Sequence, residues 1–468
     1  MIPAFLLPIL LFLGLGSVGC ALLALLHSRT NLLRTLLLSP VLGCLAVVIS
    51  AFMVNRAGLP VRNFAWYLAG LWGLFAIVTL WWRKPKLPMR RFLPFAGIFI
   101  LALVLTGRPL LDFGYHWLSY SNDDMANYVL AADRFLNNGF FDPPAADDLL
   151  FHADITQYFW FMHAAGGARP GSELLLAWTA ALTGRKTAAI FMPVMLFLHL
   201  CLISSSCAML LGNRRNRAAS LLFGLLLAFS PIVTLGTLYQ LIAQVFGLAL
   251  FCALVVFLFR RFTAASRWSL WRDAALAGAA AGGLWIVYPE VVPFLAVSFL
   301  LYVTAQIWQR QLCARALVKF LAGSFIVMVI VTFPYLFGAV LYLASQSSGG
   351  LGSQDVEFSV FPYYLIPSGF ANLWGLLPVS VTFPEPFLSI SVAVAAALLL
   401  WTFHSAWSQF LAGYPHTYVF FVMAALGTYS LIHRLDFALF KLAMYIQPFM
   451  LACLAVGNVR SCRRPRPS

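Results

Sequence analysis

Charge is what this sequence has least of: of 468 residues, 10% are Asp, Glu, Lys or Arg, and only 15 are acidic. A soluble domain carries roughly a quarter of its residues as charges, so this chain cannot coat a water-soluble body of its length. Cysteine occurs eight times but never as a CxxC pair, which removes a zinc-ribbon framework and gives no disulfide scaffold. Neither GxxxxGK followed by Ser or Thr nor HExxH occurs. ATP-driven transport and zinc proteolysis therefore lack the residues that perform them. The strict alternation that marks a membrane β-barrel is missing as well.

What fills the space is apolar: 62% of residues are hydrophobic, and the mean hydropathy is +0.88. Runs of the ~17–25 residues that cross a ~30 Å hydrocarbon core recur along the chain, and an α-helix satisfies its own backbone there. The expected fold is an all-α integral membrane protein with about 13 transmembrane helices. They centre near residues 3–26, 37–54, 64–82, 92–111, 187–211, 219–235, 245–259, 274–289, 291–308, 320–343, 388–403, 418–432 and 437–457. The N-terminal "MIPAFLLPILLFLGLGSVGC" has no basic leader region and reads as the first span.

Arg and Lys orient these spans, because basic loops stay cytoplasmic. Residues 83–91 carry five, "NRRNR" at 213–217 carries three and the tail "RSCRRPRPS" carries four. The expected location is the cell (inner) membrane, with the N-terminus outside and the C-terminus cytoplasmic. On that topology 21 of the 30 basic residues fall inside, whereas 14 of the 15 acids fall outside and only Asp273 inside. The acids took no part in the assignment, so their one-sidedness supports it independently. The net charge of +15 then faces anionic membrane lipids from short scattered loops, which makes no nucleic-acid surface. Cys313 and Cys462 are the only cysteines outside the spans, both on the inner side.

Two connections are long enough to carry function, residues 112–186 and 344–387. Nine of the 15 acids lie between Asp112 and Glu173. Within that loop "NDDMANYVLAADRFLNNG" spaces Met125, Tyr128, Val129, Ala132, Phe135 and Leu136 on one face of a helix, with Asn122 as N-cap and Gly139 as stop. An amphipathic helix lying on the membrane is expected, with Asp123 and Asp124 in its first turn. Helix-dipole stabilisation of ~0.3–1 kcal/mol explains a carboxylate there. A paired carboxylate also serves as a general base or binds a divalent cation, which is the one cofactor this sequence suggests. Further along, "FHADITQYFWFMHAAGGARPGSELLLAW" sets His152, Asp154, His163, Arg169 and Glu173 among aromatics. "GGARPG" reads as a flexible turn before a short amphipathic helix near 172–183.

This arrangement resembles the polytopic glycosyltransferases of the C fold class, which include protein O-mannosyltransferases, arabinosyltransferases and the aminoarabinose transferase of lipid A. The likeness rests on many spans, on a large extracytoplasmic loop with acids near its start (here Asp123 and Asp124), and on "GGARPGSELLLAW", similar to the end of that loop. It covers roughly residues 92–450. The resemblance implies membrane-parallel helices in the loop, a polyprenyl-phosphate sugar as donor, a lipid or glycan acceptor in the cell envelope, and an aspartate of the pair as catalytic base. In the family the acidic loop commonly follows the first span, while here it follows the fourth. Residues 1–91 then stand as a three-span N-terminal addition to a glycosyltransferase-like core of 92–457, followed by the basic tail 458–468.

The remaining substrate-binding candidates are polar residues at the outer ends of spans. "TLYQLIAQ" contributes Tyr239, Gln240 and Gln244, "YPE" contributes Tyr288 and Glu290, and "IHRLDFALFK" contributes His433, Arg434 and Lys441. Interfacial capping explains the glutamines equally well. A carboxylate in a tight turn between spans and a lysine one turn inside the last span both call for a partner. Two other functions fit the composition. A transporter or lipid-linked glycan flippase needs charges at midplane depth, but the charges here cluster at the outer edge. A surface polysaccharide polymerase or ligase tends to use Arg and His in its outer loop, and this loop is led by acids.

Overall fold

The computed structural model describes residues 3–26, 31–120, 123–151, 153–212, 216–262, 267–351, 361–378 and 383–461. Among them every regular element is helical. The longer helices are α1 (Leu7–Leu26), α2 (Leu32–Arg56), α3 (Val61–Arg83), α4 (Met89–Gly107), α5 (Asp123–Asn137), α6 (Gly171–Thr183), α7 (Thr187–Leu210), α8 (Arg217–Phe229), α9 (Pro231–Leu238), α10 (Ile242–Leu258), α11 (Arg267–Val287), α12 (Val292–Trp308), α13 (Ala314–Thr332), α14 (Tyr335–Leu351), α15 (Phe387–Leu411), α16 (Pro415–Ile432), α17 (Asp436–Tyr445) and α18 (Gln447–Ser461).

Nine helices among the described residues are long and apolar enough to cross a membrane, or eleven if each of two bent pairs is one span. The chain is a multi-pass, all-α membrane protein. The bent pairs are α8 with α9, turned by 52°, and α17 with α18, turned by 48°. Proline causes both breaks, since it offers no N–H to the preceding turn. Pro231 opens α9 behind the N-cap Ser230, whose hydroxyl accepts from the Val233 N–H at 3.3 Å. Pro448 leaves the carbonyl of Met444 without its helical donor. The two remaining expected spans, 245–259 and 274–289, are helical too. However, α10 has 17 residues, and α11 takes charged residues into its first two turns.

One expected span is redrawn. Residues 320–343 are not one helix: α13 stops at Thr332 and α14 starts at Tyr335, again at a proline, Pro334. Helix α14 then runs on to Leu351, through the first residues of the expected loop 344–387.

The centre of the bundle is α7 and α10, which are buried along nearly their whole length. Around them α1 and α2 cross so closely that a Cβ on Gly19 would lie 1.9 Å from the Ser39 carbonyl oxygen, and one on Gly43 1.8 Å from that of Leu15. Small residues permit this approach in membranes. Gly19 closes the string Gly14-Leu15-Gly16-Ser17-Val18-Gly19, which has the glycine spacing of a dinucleotide loop but lies inside α1 with no strand before it. At the periphery, α3 exposes Trp66, Trp81 and Trp82, and α15 exposes Leu400 and Trp401, as lipid-facing helices do.

Polar contacts near the helix ends join segments that the basic residues assign to the same side. Arg34 Nε donates to the Ala208 carbonyl at 3.0 Å, Arg217 to that of Arg91 at 3.2 Å, and Arg260 pairs with Asp273. In the other set Asn55 donates to the Asn138 carbonyl at 2.9 Å, Gln240 to that of Leu118, and Arg169 pairs with Glu290.

Candidate functional site

Helix α5 forms where the periodicity places it, with Met125, Tyr128, Ala132 and Phe135 buried. That face packs on α6 and α7, where a surface helix was expected to lay it on the membrane. The expected N-cap, Asn122, falls outside the described residues. The helix ends at Asn137, two residues before the expected stop. Gly139 serves a different purpose: a Cβ there would lie 2.6 Å from the Gly58 backbone, and its N–H donates to Asp142 Oδ2 at 2.7 Å. Arg134 is fully buried beneath this turn, donating to the carbonyls of Gly139 at 3.3 Å and Asp142 at 2.6 Å. Burial lowers its pKa to about 10.

Helix α6 also forms on schedule, but it is not amphipathic at a surface. Every residue from Gly171 to Ala180 is buried, as a helix apolar on nearly all sides must be. The "GGARPG" segment before it is a packed turn. Gly167 has φ +70° and presses on α14, where a Cβ would lie 2.1 Å from the Gly338 carbonyl carbon. Only glycine fits both requirements.

These elements wall a cavity of about 680 Å³. Asp124 and Tyr128 enter it from α5, Arg169 from the packed turn, Glu173 from the start of α6, Glu290 from the turn between α11 and α12, and Lys441 from α17. Arg169 is the knot. Its guanidinium pairs with Glu290, donates to the hydroxyls of Tyr342 at 2.8 Å and Tyr128 at 3.2 Å, and lies 5.1 Å from the Tyr288 ring centre. Burial works against that charge, but Glu290 and the tyrosines hold it well above its ordinary range. Burial also raises the Tyr128 hydroxyl, which stays protonated. Tyr288 bonds in turn to the Tyr445 hydroxyl.

Lys441 stands apart from this network. It is half-buried, 5.5 Å from the Phe437 ring centre, and none of the ion pairs within 4 Å among the described residues includes it. Val297, Val422 and Leu426 make the cavity wall on the α12 and α16 side apolar.

Several expected site residues lie elsewhere. Asp123 is exposed beside Asp124 and does not line the cavity. Asp154 caps a short turn, accepting from Thr156 N–H at 2.9 Å, Thr156 Oγ1 at 2.7 Å and Gln157 Nε2 at 2.9 Å. Burial raises its pKa, but those hydrogen bonds outweigh burial and leave the carboxyl below its usual value. Tyr239, Gln240 and Gln244 sit at the α9–α10 junction, where Tyr239 packs against Phe440 and Gln244 Nε2 donates to Met444 Sδ at 3.1 Å. His433 and Arg434 are exposed in the turn before α17, and nearby Asp436 accepts the Phe361 N–H at 2.6 Å. His152 falls outside the described residues.

His163, marked in the sequence among the loop's aromatics, also lines the cavity, and the residues that sequence reasoning left without a role are Tyr128, Tyr342 and Tyr445. Only Tyr128 carried a local signal, one helical turn from Asp124 on the same face. Among the described residues no three His, Cys, Asp or Glu side chains are grouped to hold a metal ion. Compared with protein family models, with curated proteins and with solved structures, the chain matches none.

Proposed function

We propose that this protein transfers a sugar from a polyprenyl-phosphate-linked donor to a lipid or glycan acceptor of the cell envelope, on the extracytoplasmic face. The observation that carries the reading is the shared cavity: Asp124, an acid singled out by its position in the chain, and Lys441, a cation inside a span, wall the same space beside an apolar flank. The acceptor hydroxyl attacks the anomeric carbon as its proton passes to the Asp124 carboxylate. The bond to the phosphate oxygen breaks, and the electron pair leaves on the phosphate. Lys441 meets that anion at the depth where a lipid phosphate rests, while the hydrocarbon tail keeps to the apolar flank. Arg169 is engaged with Glu290, which leaves Lys441 to hold the donor.

The direct test is turnover of a short-chain polyprenyl-phosphate sugar by the purified protein. In the same assay Lys441→Met, which keeps length and removes charge, is expected to weaken donor binding about tenfold to a hundredfold, the worth of one charge-assisted contact, with stability retained. Normal donor affinity in that variant would place the phosphate elsewhere.

The reading includes thirteen spans, with the N-terminus outside and residues 112–186 and 344–387 extracytoplasmic, as the basic residues direct. Asn137 is exposed at the end of α5. In a background lacking Cys313 and Cys462, Asn137→Cys is expected to react with an impermeant thiol reagent added outside intact cells. Labelling only from the cytoplasmic side would invert the topology and with it the placement of the reaction.

A further inference from the structure

His163 and Glu173 also line the cavity, and the sugar-transfer reading assigns them nothing. His163 Nδ1 lies 2.9 Å from the Phe159 carbonyl oxygen. A carbonyl only accepts, so Nδ1 carries a hydrogen. The other ring nitrogen, Nε2, faces Glu173 Oε1 at 3.5 Å, and Glu173 Oε2 accepts from Ser172 Oγ at 2.7 Å. With Nε2 bare and Glu173 ionised, two electron-rich atoms would oppose each other where the side chains are only 3% and 5% exposed. The carboxylate would then be buried with a single neutral donor, a strongly unfavourable state.

Among the described residues no Lys or Arg forms an ion pair with Glu173. Tyr128 of α5 and Tyr335 and Tyr342 of α14 lie within electrostatic range of Glu173 without a hydrogen bond to it among the described residues. All three are neutral hydroxyls, and Arg169 is already paired with Glu290. One further proton resolves the conflict. Ser172 Oγ already donates to the carboxylate, which leaves Nε2 as the place for that proton.

We infer that His163 and Glu173 form a buried imidazolium–carboxylate pair, and that this pair positions the turn carrying Arg169. His163 lies in a π-helical turn, Phe161–Ala165, and its carbonyl accepts the Gly167 N–H at 3.1 Å. Glu173 begins α6 on the far side of the turn. The pair closes the segment 163–173 as a clasp, with Phe135 fixing the imidazole plane edge-to-face at 5.1 Å. Arg169 is held between the two ends, with Gly167 pressed onto Gly338. Both residues are positioning groups and neither needs to touch a substrate.

The test uses the full chain in detergent at neutral pH, with ¹⁵N-labelled histidine and the His163 signals assigned by their loss in His163→Asn. In the wild type both ring nitrogens of His163 are expected to carry hydrogen. In Glu173→Gln the amide N–H donates to Nε2 and its oxygen still takes the Ser172 hydroxyl, so Nε2 becomes a bare acceptor. Hydrogen exchange over residues 159–171 should stay at the wild-type rate in Glu173→Gln and rise at least tenfold in Glu173→Ala. A bare Nε2 in the wild type, or equally slow exchange in Glu173→Ala, would overturn the inference. No readout depends on sugar transfer, so the pair stands or falls apart from the proposed reaction.

Discussion

Asp124→Asn is expected to slow sugar transfer by ~10²–10⁴-fold, the usual contribution of a general base, while the protein is made and purified as before. The side chain is half-buried in the first turn of α5 and opens onto the cavity. Asparagine keeps its size and its ability to accept a hydrogen bond at the helix start. The loss of negative charge at that position costs only ~0.3–1 kcal/mol of stability, so a large kinetic effect and a small thermodynamic one separate base from cap. Asp123→Asn is the internal control. Its carboxylate is exposed outside the cavity, and its loss should leave the rate where it was. If Asp124→Asn and the double variant both transfer sugar at the wild-type rate, the two aspartates serve only the start of the helix.

Arg169→Met should be the most destabilising single change among the cavity residues, by ~3–5 kcal/mol, because it leaves a partly buried carboxylate without its cation. Glu290 Oε1 loses the guanidinium, and Oε2 already has no hydrogen-bond partner among the described residues. The hydroxyls of Tyr128 and Tyr342 lose a donor in the same step. Glu290→Gln is milder, since the amide oxygen still accepts from Arg169. The combination Arg169→Met with Glu290→Gln removes both charges, and thermal unfolding in detergent should show it to be more stable than Arg169→Met alone. Strict additivity of the two changes would mean that the pair carries no coupling, against the ~0.5–3 kcal/mol expected of residues in one network.

Much of this was readable from the chain because charge is expensive in a membrane. Each intramembrane or loop-edge acid and base stood out, and Asp124, Arg169, Glu173, Glu290 and Lys441 were all marked before they were seen to share a cavity. Their mutual arrangement was not readable, since the Arg169–Glu290 pair and the tyrosines around it meet only through tertiary packing. Where local reasoning went astray, a local competitor had been underweighted. Asp154 followed by Thr156 and Gln157 is a capping turn, and its carboxylate is used up there. The run "GSELLLAWTAALT" has no polar face, so α6 had to be interior. Pro334 divides what hydropathy alone joins into one long span. His163 and Glu173 were both marked, but their pairing gave no signal, because they meet across a turn whose shape depends on a glycine contact with α14.

Helix α10, at the centre of the bundle, has a further consequence. Its 17 residues extend ~26 Å at the helical rise, less than the ~30 Å hydrocarbon core. A lipid-facing helix that short would thin the surrounding bilayer or tilt to correct the hydrophobic mismatch. This one is enclosed by protein along nearly its whole length, so lipid never senses the shortfall. The bilayer thickness that the protein matches is instead set by its outer helices, and the interior that bears the cavity is insulated from variation in acyl-chain length.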